Sequence, residues 1–334
     1  MAPDFKTIAD FRRDNGPAIR SVCRRFVALC RNLHLLDDTR VAIDGSKFKA
    51  VNNREKNFTH ERLQRRMAAI DEGIARYLAE LDRADRQAAA TGAPAPASTV
   101  AKLTGRIDKL KARMKNLAAL EAKLVASGEN QISLTDPDAR AMTSTSHSAY
   151  TVGYNVQSAV DTKHHLIVTH EVTNIGIDKD QLSLMAEQAR DALDADTIEV
   201  LPDKGYFNSE EIAACDAGGI EVYVPKPATS NSRAQARLDN FPGAMHQRRE
   251  TAEHPFGTIK AWMGATHFKM KTLAHVSTEM ALHVLAYNIK RVIAILGVPK
   301  LIEAITAFLS FLAITIGFDR GFWTAQRPSR TGCT

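Results

Sequence analysis

Two aspartates in this chain each follow a short apolar run. Asp44 comes directly after VAI at 41–43, and Asp203 comes after the run IEVLP. Both runs are typical of short buried strands. In open α/β sheets ligands bind beyond the strand ends, so the two carboxylates would converge there if the strands are neighbours. Either aspartate alone is more typical of a turn, because Asp-Gly and Asp-x-Gly sequences favour turns.

A third carboxylate, Glu253, lies between two cations in the stretch HQRRETAEHPFGTIK, residues 246–260. Arg249 precedes it by four positions and Lys260 follows it by seven, and these intervals place all three on one face of a helix. Such a face is either a surface ion network or a site for a charged ligand. Pro255 complicates the helix, which must begin near Thr251 or bend there.

Three carboxylates without histidine or cysteine partners suit Mg²⁺, with Mn²⁺ as a substitute. They can hold two ions roughly 3.5 to 4 Å apart, which stabilises the attacking and leaving oxygens of an in-line phosphoryl displacement. Arg249 and Lys260 would then contact phosphates beside the ions. Lys47, three residues after Asp44, is a further candidate for a phosphate contact. Taken together with Glu253, the two aspartates favour a metal site over isolated turns.

Charge and composition favour a nucleic-acid partner. The net charge of +6 and the pI of about 9.1 favour an acidic partner. The four cysteines form no C-x-x-C pair, so we expect reduced thiols rather than a metal site or disulfides. The first residues contain no apolar signal-peptide core. The uncharged run 304–318 is shorter than a membrane span and predicts a buried C-terminal helix, with membrane contact as a minor alternative.

The remaining sequence predicts strands alternating with helices. Polar, turn-rich sequence at 226–243 predicts a loop, and Trp262 and Phe268 are expected to pack against the last helices. A hairpin of strands together with alternating strands and helices predicts a mixed sheet in an α/β core. The predicted helices are 5–36, 180–193, 209–215 and the segment after about 250; the predicted strands are 41–43, 151–161, 164–173, 197–201 and 221–224.

Residues 59–127 differ from this core. Leucine, isoleucine and methionine recur at coiled-coil spacing on either side of the breaker TGAPAPAST, which predicts a helical hairpin. The first arm, residues 59–89, has six arginines and six acidic residues. The second arm, residues 101–125, has seven basic and two acidic residues, so it is either a DNA-facing surface or a solvated basic face.

Several segments in a fixed order resemble a known family. VAIDGSKFKA, GYNVQSAVD and PDKGY are followed by R-x3-E-x6-K in RRETAEHPFGTIK. Their order and spacing resemble the DDE transposases of bacterial insertion sequences. The subgroup that the chain resembles most carries a Y-x2-R-x3-E-x6-K signature and a helical insertion after the first aspartate. DPDARAM and AYNIKR, at 136–142 and 286–291, also resemble it. The resemblance runs from about residue 5 to residue 296.

This resemblance implies a fold and roles for single residues. The fold would be an RNase H-like mixed sheet flanked by helices, with a coiled-coil-like helical hairpin inserted after the first strand. Asp44, Asp203 and Glu253 match the family's metal-binding catalytic carboxylates, and two Mg²⁺ ions are expected. Arg249 and Lys260 match residues that contact transposon-end DNA. His246 stands where the signature has tyrosine, and histidine can still stack on a base or donate to a phosphate.

The implied activity is metal-dependent DNA strand cleavage and strand transfer by a transposase that forms at least a homodimer on DNA. We expect a bacterial, cytoplasmic, nucleoid-associated protein that does not enter a membrane. Two alternatives remain: an RNase H-like metal nuclease that does not join strands, and a non-catalytic DNA-binding remnant. The remnant is considered because family members usually have a helical region before the segment that matches PDFKTIADFR.

The expected organisation has four parts. They are a helical N-terminal segment at 1–40, a catalytic core at 41–58 and 130–296, a helical-hairpin insertion at 59–128, and a C-terminal helix and tail at 297–334.

Overall fold

The computed structural model describes residues 3–37, 39–52, 56–92, 96–144, 147–225 and 233–315. The described chain divides into two compact units. The first consists of Met1–Ser46, Asn155–Thr266 and Ala274–Thr334, as far as these are described. The second consists of Lys47–Tyr154 and His267–Leu273.

The helices and strands of the described residues follow one another along the chain. In order they are α1 (Phe5–Asp14), α2 (Gly16–Asn32), β1 (Arg40–Lys49), β2 (Asn57–Thr59), α3 (His60–Thr91), α4 (Ala97–Ser127), β3 (Gln131–Ser133), β4 (Arg140–Ser144), β5 (His147–Asp161), β6 (Ile167–Thr173), α5 (Leu182–Leu193), β7 (Ile198–Pro202), α6 (Ser209–Ala217), β8 (Ile220–Val222), α7 (Arg233–Asn240), α8 (Ala244–Gly257), α9 (Leu273–Leu296) and α10 (Val298–Thr315).

The first unit is built on a mixed sheet. Its strand order is β6-β5-β1-β7-β8, with β5 and β6 antiparallel and with β1, β7 and β8 parallel. Val41, Ala42 and Ile43 in β1 are fully buried, as expected for a parallel strand covered on both faces. Helices α2 and α5 contribute Phe26 and Met185 to the same core. This mixed α/β sheet flanked by helices is compatible with an RNase H-like fold.

Helix α7 corrects one sequence expectation. Part of the predicted loop at 226–243 forms this helix, because Ala234 and Leu238 lie one helical turn apart and bury the same face. The polar residues around these two apolar positions hid the helical pattern. Residues 226–232 lie outside the described part of the chain.

The predicted burial of the C-terminal helix is also corrected. Among the described side chains of α10, Leu301 and Phe308 pack on the core, whereas Ile302 and Leu309 are 59% and 56% exposed. Residues 316–318 of the predicted run lie outside the described part of the chain. Among the described residues, no single helix is long and apolar enough to cross a membrane. The pair α9 and α10 passes a length and composition test together, but is bent by 115° at the break between the helices.

The second unit contains the two longest helices, α3 and α4, which pack against each other through leucines such as Leu63 and Leu117. Thr59 caps the start of α3, where its hydroxyl accepts from the Arg62 backbone N–H at 3.3 Å. Gly92 ends α3 in the left-handed conformation, with φ of 66°. The helical pattern in the sequence thus corresponds to helices α3 and α4.

A buried carboxylate organises the rest of this unit. Asp136 has no exposed surface, and it accepts hydrogen bonds from the Tyr154 hydroxyl at 2.9 Å and the Thr272 backbone N–H at 3.0 Å. Phe268 packs beside them, with its ring 5.9 Å from that of Tyr154. The DPDARAM segment therefore has a structural role here: it ties three separate stretches of the second unit together.

Candidate active site

The register of two parallel strands brings Asp44 and Asp203 side by side. Ile43 of β1 pairs with Pro202 of β7, so the next residue on each side is an aspartate. Because neighbouring parallel strands in register present the same face, both carboxylates lie at the same place on the sheet. Strand β1 continues past Asp44 to Lys49, beyond the predicted end at 43, whereas β7 ends at Pro202. Asp44 is thus a strand residue rather than a turn residue.

A cation bridges the two aspartates, and it is Arg248 of α8. Its Nη2 lies 2.8 Å from Asp44 Oδ1, and its Nη1 lies 3.8 Å from Asp203 Oδ1. The Arg248 side chain is only 11% exposed, against 21% for Asp44 and 56% for Asp203. A guanidinium with two nitrogens directed at two carboxylates is a geometry that lysine cannot reproduce.

Sequence reasoning missed Arg248, although a signal for it exists. Arg248 lies four residues after Ala244, four before Ala252 and seven before Pro255, and those three residues are buried. This spacing places the arginine on the inward face of α8. Its neighbour Arg249 falls on the exposed side.

Burial dominates the electrostatics of Asp44. Desolvation raises the pKa of Asp44 to about 6, even though the adjacent Arg248 and the Gly45 backbone N–H both favour the ionised form. Asp203 and Asp178 add like charge and raise this pKa further. The site therefore concentrates negative charge that a cation would stabilise.

A hydrogen-bonded network supports the site behind Gly45. Asn155 Nδ2 and Gln157 Nε2 both donate to Asp178 Oδ1 at 2.7 Å, and the Tyr206 hydroxyl donates to Gln157 Oε1. Sequence reasoning did not single out Asp178, because it lies in the irregular segment between β6 and α5. No spacing in the sequence connects that segment to β1.

We predict that Gly45→Ala lowers the catalytic rate of the site by at least about tenfold, since small displacements of catalytic groups are costly. A Cβ at this position would lie 2.6 Å from Gln157 Nε2 and 2.7 Å from Asp178 Oδ1, both of which the network holds in place. Gly205→Ala is the matched control, because its Cβ would meet no atom within 4 Å. Equal activity of the two variants in a DNA-nicking assay would contradict the prediction.

Lys260 reaches the site through an irregular turn. Pro255 lies inside α8 and cannot donate a backbone hydrogen bond, and a π-helical turn at Thr258–Trp262 follows the helix. From this turn Lys260 Nζ donates to Ser46 Oγ at 2.6 Å, two residues beyond Asp44. Burial lowers the pKa of Lys260, and the Asp44 charge raises it in partial compensation. The helix thus does not begin near Thr251, since it starts at Ala244 and continues past Pro255 to Gly257.

The other predicted residues of α8 share an exposed face. His246, Arg249 and Glu253 are all exposed, and His246 Nδ1 lies 3.4 Å from Glu250 Oε2. Glu253 is five positions from Arg248, about 140° around an ideal helix. In the described part of the chain, no group of three or more histidine, cysteine or acidic side chains is placed to hold one metal ion. The role of Glu253 as third carboxylate therefore stays a prediction.

Three further predicted residues are Lys47, Trp262 and Phe268. Lys47 is a partly buried residue of β1, and its predicted phosphate contact stays a prediction. Trp262 was expected to pack against the last helices, but it is 82% exposed at the end of the π-helical turn. Phe268 is buried, in the second unit.

A scan against known protein families matches residues 114–289 to the family described as Transposase DDE domain. This match covers more than half of the 334 residues. The chain belongs to the DDE transposase family. Neither the comparison with curated proteins nor the comparison with solved structures gave a match.

Family membership gives the site its general chemistry. DDE transposases act on DNA and generally use divalent metal ions. The matched segment contains Asp203, Glu253 and Lys260, whereas Asp44 lies before it. Asp44 lies beside the matched segment through its strand register with β7 and its contact with Arg248.

Proposed function

We propose that this chain is the transposase of an insertion sequence, of the subgroup with the Y-R-E-K signature, and that it cleaves and joins DNA strands. The observation that supports this most is the convergence of Asp44 and Asp203 on one cationic group. Asp44 is outside the family match and Asp203 inside it, so the convergence is independent of the match.

The residues of the site fit a divalent metal ion in their chemistry. Carboxylate oxygens are the ligands that Mg²⁺ and Mn²⁺ prefer. The Arg248 guanidinium supports this proposal, because it is a cationic group that contacts both Asp44 and Asp203. In our proposal these two aspartates and Glu253 hold two Mg²⁺ ions, with Mn²⁺ as a substitute. Bound metal would supply activation of the attacking oxygen and stabilisation of the leaving oxygen.

The chain's own residues would position the DNA. Lys260, held against Ser46, would place a positive charge beside Asp44, where a scissile phosphate must lie. His246 and Arg249, on the exposed face of α8, would contact the backbone of the element end. Lys47, within β1, would add a phosphate contact. Water would attack the phosphodiester at the element end, and the released 3′-hydroxyl would then attack target DNA at the same site.

The finer assignments of the proposal come from the resemblance to the subgroup. They are an RNase H-like core with α3 and α4 as its helical insertion, a homodimer assembled on paired element ends, and a cytoplasmic, nucleoid-associated location in a bacterium. The basic second arm, α4, is compatible with DNA contact because its lysines and arginines are exposed.

A strand-transfer assay tests the proposal. Purified protein is incubated with Mg²⁺, a supercoiled target plasmid and linear DNA that carries the sequences flanking the gene. We expect nicked plasmid together with covalently joined products, and neither with Asp203→Asn. Nicking without joining would favour a metal nuclease. DNA binding without nicking, even with the flanking ends supplied, would favour a non-catalytic remnant.

A further inference from the structure

Arg248 contacts two aspartates, of which Asp44 lies in β1 and Asp203 directly follows β7. Its Nη2 is at hydrogen-bond distance from Asp44 Oδ1, at 2.8 Å, and its Nη1 makes a longer ion pair with Asp203 Oδ1, at 3.8 Å. Both oxygens therefore contact the same guanidinium group, each through a different nitrogen. The two carboxylates are the ones that our proposed function assigns to metal binding, so the present inference rests on that function.

A guanidinium and a divalent cation cannot use the same carboxylate oxygens in this way at once. Mg²⁺ binds carboxylate oxygen at about 2.0–2.1 Å and demands a nearly complete octahedron of oxygen ligands. The Arg248 nitrogens contact Oδ1 of Asp44 and Oδ1 of Asp203, the carboxylates that our proposal assigns to the ion. Two positive groups would then be a few ångströms apart in a partly buried site, where their repulsion is screened less than in water.

The hydrogen bonds and ion pairs of Arg248 do not use all of its donors. Its Nε is buried and has no hydrogen-bond partner among the described residues. The second ion pair, to the half-exposed Asp203, is longer than a hydrogen bond. A side chain with one good contact, one long contact and one unsatisfied donor loses less on leaving than a fully bonded arginine would.

We propose that Arg248 is an internal cation that competes with divalent metal for Asp44 and Asp203. Without metal it bridges the two aspartates and offsets part of their negative charge. Metal binding requires the guanidinium to move away, so the apparent metal affinity of the wild-type chain is lower than the affinity of the carboxylates themselves.

The test is direct binding of Mn²⁺, followed by electron paramagnetic resonance of free Mn²⁺, on wild type, Arg248→Gln, Arg248→Lys and Arg249→Gln. Arg248→Gln should bind Mn²⁺ about tenfold more tightly, a typical coupling between competing ligands. Arg248→Lys keeps the charge but cannot bridge both aspartates, so its affinity should lie between those of wild type and Arg248→Gln. Arg249→Gln removes the neighbouring exposed arginine and should leave Mn²⁺ affinity unchanged. Asp44→Asn identifies the site, because it should weaken Mn²⁺ binding in every background.

The melting temperature is a second readout, and it shows whether the Arg248→Gln variant is folded. Without metal, Arg248→Gln should unfold at a lower temperature than wild type, because two aspartates lose their cation. Adding Mn²⁺ should raise the melting temperature more in this variant than in wild type. If Arg248→Gln does not fold, the Arg248→Lys titration carries the test.

The results of the Mn²⁺ titrations distinguish a failure of the proposed competition from a failure of the proposed metal site. Mn²⁺ binding that Asp44→Asn weakens, with equal or lower affinity in Arg248→Gln, would overturn the competition and leave the metal site standing. No Mn²⁺ binding by any variant would overturn both. Binding by Arg248→Gln in the absence of detectable wild-type binding would support the competition strongly.

Discussion

Asp203→Asn and Asp44→Asn should each reduce DNA nicking by at least about a thousandfold, the scale of loss when a group that acts in the transition state is removed. Asparagine keeps the shape of aspartate, but it removes the charge that would hold a divalent cation. The measurement is conversion of supercoiled plasmid to the open-circular form in Mg²⁺. Asp196→Asn is the matched control, because Asp196 is an exposed aspartate two residues before β7. Retention of more than a tenth of wild-type activity in Asp203→Asn would refute this role.

Glu253→Gln is measured in the same nicking assay. It tests whether Glu253 or another acidic residue is the third carboxylate of the site. As the third carboxylate, Glu253 should be as sensitive as the two aspartates. Its exposure on α8 means that its substitution should not disturb the fold. Full activity of Glu253→Gln would exclude it as a ligand, and Asp178, which adds like charge to Asp44, would become the acidic residue to test next.

Gly153→Ala should have the largest effect on stability, a loss of about 3 kcal/mol or more in the free energy of unfolding, at the upper end for overpacking. A Cβ at Gly153 would lie 2.0 Å from the Phe48 carbonyl oxygen and 2.9 Å from its carbon. Both are backbone atoms in a strand, so no side-chain rotation can relieve the contact. Urea unfolding, followed by circular dichroism, measures the loss.

Gly105→Ala is the control in the same unit, and it should act in the opposite direction. Gly105 lies inside α4, and its Cβ would meet no atom within 4 Å. Alanine should therefore stabilise this helix by about 0.5–1 kcal/mol. If Gly153→Ala were no more destabilising than Gly105→Ala, this result would contradict the close contact between Gly153 of β5 and the Phe48 backbone.

The sequence was sufficient to predict the two strands that lead to Asp44 and Asp203. Val41–Ile43 and Ile198–Pro202 are short apolar runs, and the alternation of strands and helices predicted a mixed sheet. The structure adds their register, which places Asp44 beside Asp203. Register depends on contacts between strands whose paired residues, such as Ile43 and Pro202, are 159 positions apart, which local patterns do not encode.

The support around the aspartates was harder to predict. Arg248 and Arg249 are adjacent, and only the phase of α8 against the sheet decides which of them faces Asp44. Asp178 comes from an irregular segment, and its hydrogen bonds with Asn155 and Gln157 involve tertiary contacts. The exposure of Trp262 follows from a π-helical turn after Pro255, which sequence periodicity does not reveal.

In our proposal Asp203 binds a metal ion that cleavage needs, and Asp203→Cys tests this role most directly. A thiolate is a poor ligand for Mg²⁺, and the softer Mn²⁺ accepts it more readily. The measurement is plasmid nicking by wild type and Asp203→Cys, each in Mg²⁺ and in Mn²⁺. We predict that wild type nicks with both ions, whereas Asp203→Cys is inactive with Mg²⁺ and regains nicking with Mn²⁺. If Asp203→Cys nicked DNA in Mg²⁺ at the wild-type rate, the Asp203 carboxylate would not be a metal ligand, and the proposed metal site would be contradicted.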